Sequence, residues 1–403
     1  MKEMDINVLK FGGTSVADKK KLENVARIIE KRYNAGENIV VVVSAQGKFT
    51  DVLVEKAAEI SDNPPKRELD VLLSTGEQIT ISLLAMVLAE RKIPAVSLTG
   101  WQTKILTDST HHNARIKKIE NQRIIKELKD RKVVVVAGFQ GISQFGDITT
   151  IGRGGSDTTA VSLAANLSAR ACDIYTDVDG VYTADPRIVK NAIKIDVISY
   201  DEVMEMASLG ANVLQNRCVE IARDYNVPLF VKSSFTDNEG TKIIGGGKVE
   251  NAIVRGVAKD DDVACISLIG IDKSVSEFKV FMLLAEEKIN VDIILKFLED
   301  GLANVSFTVS QSVLSQVQEI ISANLGALGV REVAYAKGKS KISLVGNGMV
   351  MNAGVAARAF DALKENNIRV DMVSTSEIKI TLIVDEKQAK KAVQILHKEF
   401  LEI

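Results

Sequence analysis

The sequence is poor in the residues that build metal sites and disulfide frameworks. Its 403 residues hold only three cysteines, Cys172, Cys218 and Cys265, with no CxxC pairing. An odd count so widely spread is no disulfide framework and fits buried, reduced thiols. Histidine also occurs three times, as His111, His112 and His397. Neighbours in sequence do not share a helix face as an i, i+4 metal pair does, so His111 and His112 are expected in a solvated loop, with no metal bound. No stretch approaches the roughly 18 apolar residues of a membrane span. The best apolar run, Val133 to Phe139, has strand length. The opening Met1-Lys2-Glu3-Met4-Asp5 lacks the apolar core of a signal peptide. Net charge is −2, so no bulk positive charge is present to hold nucleic acid or an anionic membrane. These absences lead us to expect a cytoplasmic chain with neither nucleic acid nor membrane as partner.

What is present is ordinary globular material, 46% hydrophobic and 26% charged, and long enough for two or three domains. Residues 5–232 alternate strand and helix. Ile6 to Phe11 is a short, largely apolar run ended by Gly12-Gly13, and Leu22, Val25, Ala26 and Ile29 follow at helical spacing. Further strands are expected at Ile39–Val43, Ala95–Leu98, Val133–Ala137, Asp173–Thr176 and Leu229–Lys232, with helices at Glu77–Glu90 and Ser156–Leu167. Uniformly apolar strands between helices imply an α/β fold: a three-layer αβα unit on a mostly parallel sheet, with ligands beyond the carboxyl ends of the strands.

From Ser233 to Asp262 the texture turns to loop, with Gly245-Gly246-Gly247 and the charge run Asp260-Asp261-Asp262. An internal repeat follows. Ile266-Ser267-Leu268-Ile269-Gly270 matches Ile342-Ser343-Leu344-Val345-Gly346, and Phe281, Leu284, Glu286, Ile289, Val291 and Asp292 match Phe360, Leu363, Glu365, Ile368, Val370 and Asp371. Each copy reads as the split βαβ pattern of ferredoxin-like (βαββαβ) domains.

Four segments could carry chemistry. Lys10-Phe11-Gly12-Gly13-Thr14-Ser15 joins a strand to a helix, where glycines admit a ligand and free N–H groups with a lysine favour an anion. It is neither GxGxxG nor GxxxxGK[ST]. Gly152-Arg153-Gly154-Gly155-Ser156-Asp157 opens a second helix; Arg153 suits a carboxylate or phosphate, and Asp157 is either functional or a simple cap. Thr176 to Arg187 lacks the spacing and the closing Glu of a calcium loop. Ser74-Thr75-Gly76-Glu77 reads as a helix start, with Glu77 placed for the helix dipole or for an ammonium group.

Together and in this order, these segments resemble the KFGGTS, GRGGSDTT and TDVDGVYTADPR stretches of aspartate kinases, and Ser374-Thr375-Ser376-Glu377 resembles the STSE stretch of their second regulatory domain. The resemblance runs from about residue 6 to about residue 400. It implies an amino-acid kinase domain (1–248, with a linker about 233–262) and two ACT domains, 263–336 and 249–262 plus 337–403. It also implies transfer of the γ-phosphoryl group of Mg·ATP to the β-carboxylate of L-aspartate, the first step of lysine, threonine and methionine biosynthesis.

Carried over by position, Lys10 and Asp157 are catalytic, and Ser44, Thr50, Glu77 and Arg153 surround aspartate. Lys10, Phe11, Gly12, Gly13, Thr176, Asp177, Tyr182 and Arg187 hold the nucleotide. Asp272, Asn290, Asp292, Gly354, Ser374, Ser376 and Glu377 are candidates for an allosteric amino-acid site taking lysine, threonine or both. ATP and Mg²⁺ are the implied cofactors, with no metal held by a protein cage. The implied assembly is a homodimer or larger, joined through ACT domains, with a shorter regulatory chain as a further possible partner. The chain departs from the family pattern at Asn212, which replaces a nucleotide-side lysine that Lys232 could compensate. It departs again at Asp272-Lys273-Ser274-Val275 and at Lys296, in the first ACT domain. The competing readings are a same-fold kinase for another carboxylate and a catalytically silent amino-acid sensor.

Overall fold

A computed structural model describes residues 4–208, 214–245, 253–272, 278–349, 352 and 354–402. Asn212 and the loop residues Lys273, Ser274 and Val275 lie outside the described residues. The chain divides into two compact units, one of Met1–Tyr182, Lys194–Ser208 and Asn212–Glu250, the other of Thr183–Ile193, Leu209–Ala211 and Asn251–Ile403.

In the first unit the early strands are β1 (Ile6–Phe11), β2 (Asn38–Val43), β3 (Ala95–Leu98) and β6 (Val133–Ala137). β9 (Ala171–Thr176), β10 (Val197–Ser199), β11 (Leu229–Ser233) and β12 (Thr241–Ile244) complete an eight-stranded sheet of order β10-β12-β11-β9-β1-β2-β6-β3. Every pairing is parallel except β11 with β12. Val40 to Val43 and Val133 to Val136 are fully buried, because helices cover both faces of a parallel sheet. α1 (Lys19–Asn34) buries Leu22, Val25, Ala26 and Ile29, the stripe its sequence spacing indicates. It begins at Asp18, whose carboxylate accepts the Lys21 N–H at 2.9 Å.

α3 (Lys66–Glu90) starts well before the expected helix at Glu77, so Ser74-Thr75-Gly76-Glu77 lies mid-helix and is no N-terminus. Its apolar residues are interspersed with Ser, Thr and Gly, which hides the helix from a simple apolar scan. It corrects the reading that no segment is long and apolar enough to span a membrane: an 18-residue window has mean hydropathy 1.6. Within the structure it is a core helix, packing Ile81, Leu84 and Leu88 under the sheet.

A small second sheet holds β4 (Ile105–Thr107), β5 (Ile116–Ile119), β7 (Gln140–Ser143) and β8 (Ile148–Thr150), in the order β5-β4-β7-β8. β8 leads into the glycine-rich loop 152–154 and α5 (Gly155–Asn166).

The second unit is one six-stranded sheet of β13 (Gly256–Ile271), β14 (Ile294–Glu299), β15 (Leu302–Val309), β16 (Glu332–Val345), β17 (Val370–Thr375) and β18 (Lys379–Asp385), ordered β14-β15-β13-β16-β18-β17. The acidic run Asp260-Asp261-Asp262 therefore lies inside a strand, at a register shift, and is not linker. Residues 256–260 pair antiparallel with 341–345. The second repeat copy ends in α12 (Glu386–Leu401) instead of a strand, and the first part of β13 takes that strand's place.

The repeat is visible in three dimensions. Leu284 and Leu363 are both fully buried, and Asp292 and Asp371 each pair at 2.7 Å with a lysine of β16, Lys341 and Lys339 respectively. Thr183–Ile193 groups with this unit: Ala184 and Val189 enter its core, and the Thr183 hydroxyl meets Nε2 of the fully buried His397 at 2.9 Å.

Candidate active site

The carboxyl ends of β1, β2 and β6 bound a cavity of about 220 Å³ in the first unit. It is lined by Lys10 from β1, Ser44 just after β2, Thr50 from α2 (Phe49–Ile60), Glu77 from α3 and Phe139 just after β6. Residues 152–157 close it. Six residues singled out from sequence thus converge: Lys10, Ser44, Thr50, Glu77, Arg153 and Asp157.

Lys10 is nearly buried, and its ammonium lies 2.6 Å from a carboxylate oxygen of Asp157 in the first turn of α5. Asp157 is therefore no helix cap; that place is taken by Gly154, in the left-handed region at φ +69. Lys10 lies over Gly12, where a Cβ would come within 3.5 Å of its Nζ. A Cβ on Gly13 would stand 2.8 Å from the Ala45 carbonyl oxygen, so glycine here allows the 44–47 loop to pack close. The element after Gly12 is only a short 3-10 turn, Gly13–Val16, and α1 starts afresh at Asp18. The helix N-terminus at the cavity is that of α5, not one opened by Gly12-Gly13.

Glu77 is 3% exposed, and one carboxylate oxygen accepts the Ala45 N–H at 3.0 Å. Its other oxygen has no hydrogen-bond partner among the described residues. Burial pushes the carboxyl up to about 8, against the lowering effect of the Ala45 N–H. A buried oxygen without a partner beside a cavity is a place for a donor from a ligand. Arg153 is exposed, between Gly152 at φ +89 and Gly154, and no described carboxylate pairs with it. The cavity lining thus offers a carboxylate suited to an ammonium group and an arginine suited to a carboxylate, together with the Lys10–Asp157 pair.

The nucleotide candidates are more scattered. The Phe11 side chain is a correction: it is fully buried and stacked on Tyr175 at 4.7 Å, so only its backbone faces outward interactions. Its carbonyl accepts the Ser44 N–H at 3.2 Å. Thr176 donates to Asp177 at 2.9 Å, and the Tyr182 hydroxyl donates to Asp179 at 2.8 Å, holding that carboxyl below its usual range. Arg187 falls in the second unit, exposed and paired with Asp185 at 2.8 Å. Lys232 does not stand free to replace a missing charge: its ammonium pairs with the buried Asp173 at 3.0 Å, which also pairs with Arg32.

Of the effector candidates, Asp292 is held by Lys341. Asp272 and Asn290 are exposed. Gly354, at φ +97, caps α11 (Val355–Glu365). Ser374 pairs with Thr381 across β17 and β18, while Ser376 and Glu377 are exposed in the turn between those strands.

Sequence reasoning missed Phe139, whose φ of +68 turns the chain at the end of β6. It also missed a network under the arginine loop. His111 and His112 are not merely solvated: His111 Nδ1 and the His112 N–H both contact the fully buried Asp70, at 2.8 and 3.2 Å. Reading α3 from residue 66 would have placed Asp70 and Glu77 two turns apart on one face.

Comparison with known proteins bears on the family. Residues 5–233 match the amino acid kinase family and residues 342–400 match the ACT domain. An aspartokinase of Bacillus sp. (strain MGA3) is 50% identical over 98% of this chain and 97% of its own length. Aspartokinase 2 of Bacillus subtilis (strain 168) is 47% identical over 98% of both chains. Among solved structures, E. coli aspartokinase III in complex with aspartate and ADP superposes with TM-score 0.80 at 28% identity, covering 98% of this chain and 99% of that one. The same enzyme with lysine and aspartate gives 0.77 at 27% identity, with 98% and 99% covered. Near full-length identity of this kind, on a chain whose two units carry the kinase and ACT sheets, makes it a member of the aspartate kinases within the amino acid kinase family.

Proposed function

We propose that this enzyme transfers the γ-phosphoryl group of ATP to the β-carboxylate of L-aspartate. The observation that carries the reading is the convergence on one cavity of Lys10–Asp157, of Arg153 and of a Glu77 oxygen, the last two without a partner among the described residues. Glu77 takes the α-ammonium and Arg153 grips a carboxylate with its planar fork. Ser44 and Thr50 supply hydroxyls to the bound amino acid.

The acceptor carboxylate has a reference pKa near 4 and is ionised at neutral pH, so no general base is required. Its oxygen forms a bond to the γ-phosphorus while the bond from that phosphorus to the bridging oxygen of ADP breaks. The difficulty is bringing two anions together, and positive charge placed in advance is the remedy. Lys10, held by Asp157, lies where charge develops. The N-terminus of α5 adds backbone N–H groups on the same wall. Among the described residues no cluster of three His, Cys, Asp or Glu side chains forms a metal cage. Mg²⁺, when bound, would ride on the nucleotide phosphates and would neutralise part of their charge. Thr176, Asp177 and Tyr182, with the backbone of 11–13, contact the nucleotide.

The ACT unit binds lysine, threonine or both, through residues drawn from Asp272, Asn290, Asp292, Gly354, Ser374, Ser376 and Glu377. The protein works in the cytoplasm as a homodimer or larger assembly joined through these domains, and a shorter regulatory chain is a further partner.

The test is ADP release from Mg·ATP with L-aspartate, with L-glutamate and with no acceptor. Aspartate-dependent turnover is expected. Turnover no greater than in the acceptor-free control, with folded protein, overturns the reading.

A further inference from the structure

Arg153 has no hydrogen-bond or ion-pair partner among the described residues, so its position depends on what holds the root of its loop. The root is unusually well tied. Asp70, fully buried on α3, accepts the Thr150 N–H at 3.0 Å and the Thr150 hydroxyl at 2.6 Å. The same carboxylate accepts the His112 N–H at 3.2 Å and meets His111 Nδ1 at 2.8 Å.

Arg217, in the first turn of α7 (Asn216–Asp224), closes the root from the other side. It donates to the Ile151 carbonyl at 3.0 Å and to the Ala114 carbonyl at 2.9 Å. The two strands of chain so clamped, 111–114 and 150–152, also bond to each other, Ala114 N–H to Thr150 carbonyl at 3.0 Å. They touch closely enough that a Cβ on Gly152 would stand 2.9 Å from the His112 carbonyl oxygen.

Asp70 and Glu77 lie on the same helix, two turns apart on one face. One rigid element therefore carries the group that faces the cavity from one side and the group that anchors the loop on the other.

We infer that Asp70 and Arg217 are positioning residues for Arg153, fixing its span from Glu77 and with it the site's preference for aspartate over the longer glutamate. This rests on the proposed pairing of Glu77 with the ammonium and Arg153 with a carboxylate. Neither Asp70 nor Arg217 touches substrate. They act by holding the loop to the accuracy that binding requires, and a displacement of the order of an ångström is enough to cost roughly a hundredfold. Asp70→Asn keeps the shape but replaces an acceptor oxygen with a donor facing N–H groups. Arg217→Gln frees both carbonyls.

The test measures KM for aspartate and for ATP, kcat/KM for aspartate against glutamate, and Tm, in wild type and both variants. In each variant that folds, KM for aspartate is expected to rise at least about tenfold with KM for ATP within about twofold of wild type. The aspartate-to-glutamate ratio is expected to fall. An unchanged aspartate KM, or equal losses for both substrates accompanied by a lower Tm, overturns the inference. Arg217→Gln decides alone should Asp70→Asn fail to fold, since Arg217 is only half-buried and the change removes two hydrogen bonds to the loop root. A wild type inactive with aspartate sinks the functional reading itself; an active wild type with unshifted variants sinks only this one.

Discussion

Lys10 of β1 and Asp157 of α5 meet at 2.6 Å beside the cavity, an ion pair drawn from two distant segments of the chain. The carboxylate fixes the ammonium without cancelling its use, because phosphoryl transfer needs a cation held in place. Lys10→Ala is expected to lower kcat by about 10²–10³-fold. Asp157→Asn leaves the lysine but frees it, and a loss of roughly tenfold is expected from poorer positioning. Steady-state kinetics checks both. Equal losses in the two variants would show that the aspartate does more than orient.

Glu77 makes aspartate binding depend on pH. Burial raises its carboxyl from 4.5 to about 8, so in the empty enzyme at pH 7 it carries a proton. Between those values the folded protein holds a proton that the unfolded chain has released. Stability of the empty enzyme therefore falls as pH rises through that window. An arriving ammonium favours the ionised form, so binding at pH 7 releases a proton. Calorimetry in two buffers of different ionisation enthalpy should show a buffer-dependent heat, absent in Glu77→Gln. That variant binds aspartate poorly, yet above pH 8 its empty form should melt higher, by roughly 2–4 °C per kcal/mol of relieved penalty.

Arg153→Lys keeps the charge and loses the fork. A rise of about tenfold in KM for aspartate is expected, equivalent to about 1.4 kcal/mol. An unchanged KM would mean that a point charge suffices and that the carboxylate is not gripped by two donors.

Gly13→Ala tests the close approach of two backbones. The added Cβ would stand 2.8 Å from the Ala45 oxygen and 2.9 Å from the Gly47 oxygen, neither of which is a flexible side-chain end. The loop must move, and with it Ser44 and the Ala45 N–H that holds Glu77. A stability loss of about 1–3 kcal/mol is expected from such crowding, with weaker aspartate binding. Thermal melting and KM report the two effects separately.

Much of the fold was legible because its signals are local. The runs Ile6–Phe11, apolar but for Asn7 and Lys10, and Val133–Ala137, apolar on both faces, fit a covered parallel sheet, and they form strands at those residues. The stripe on α1 and the repeat of Asp292 as Asp371 were equally readable, since period and similarity are properties of the string itself. The site residues were legible as types: a lysine before paired glycines, an arginine within them, and a glutamate after a small-residue run.

Other features were decided only by folding. Helix α3 begins before Glu77 because burial under the sheet supports Ser, Thr and Gly that local propensity disfavours, and only that start places Asp70 beneath the arginine loop. Phe11 looked like part of a phosphate loop, yet alternation along β1 turns its ring into the core against Tyr175. The acidic run 260–262 read as linker, but pairing with β16 and Lys341 makes it strand. The sequence by itself determined the elements and the chemical types available for phosphoryl transfer. Tertiary structure decided which of them meet, because hydrogen bonds and ion pairs between distant segments depend on packing that no local pattern encodes.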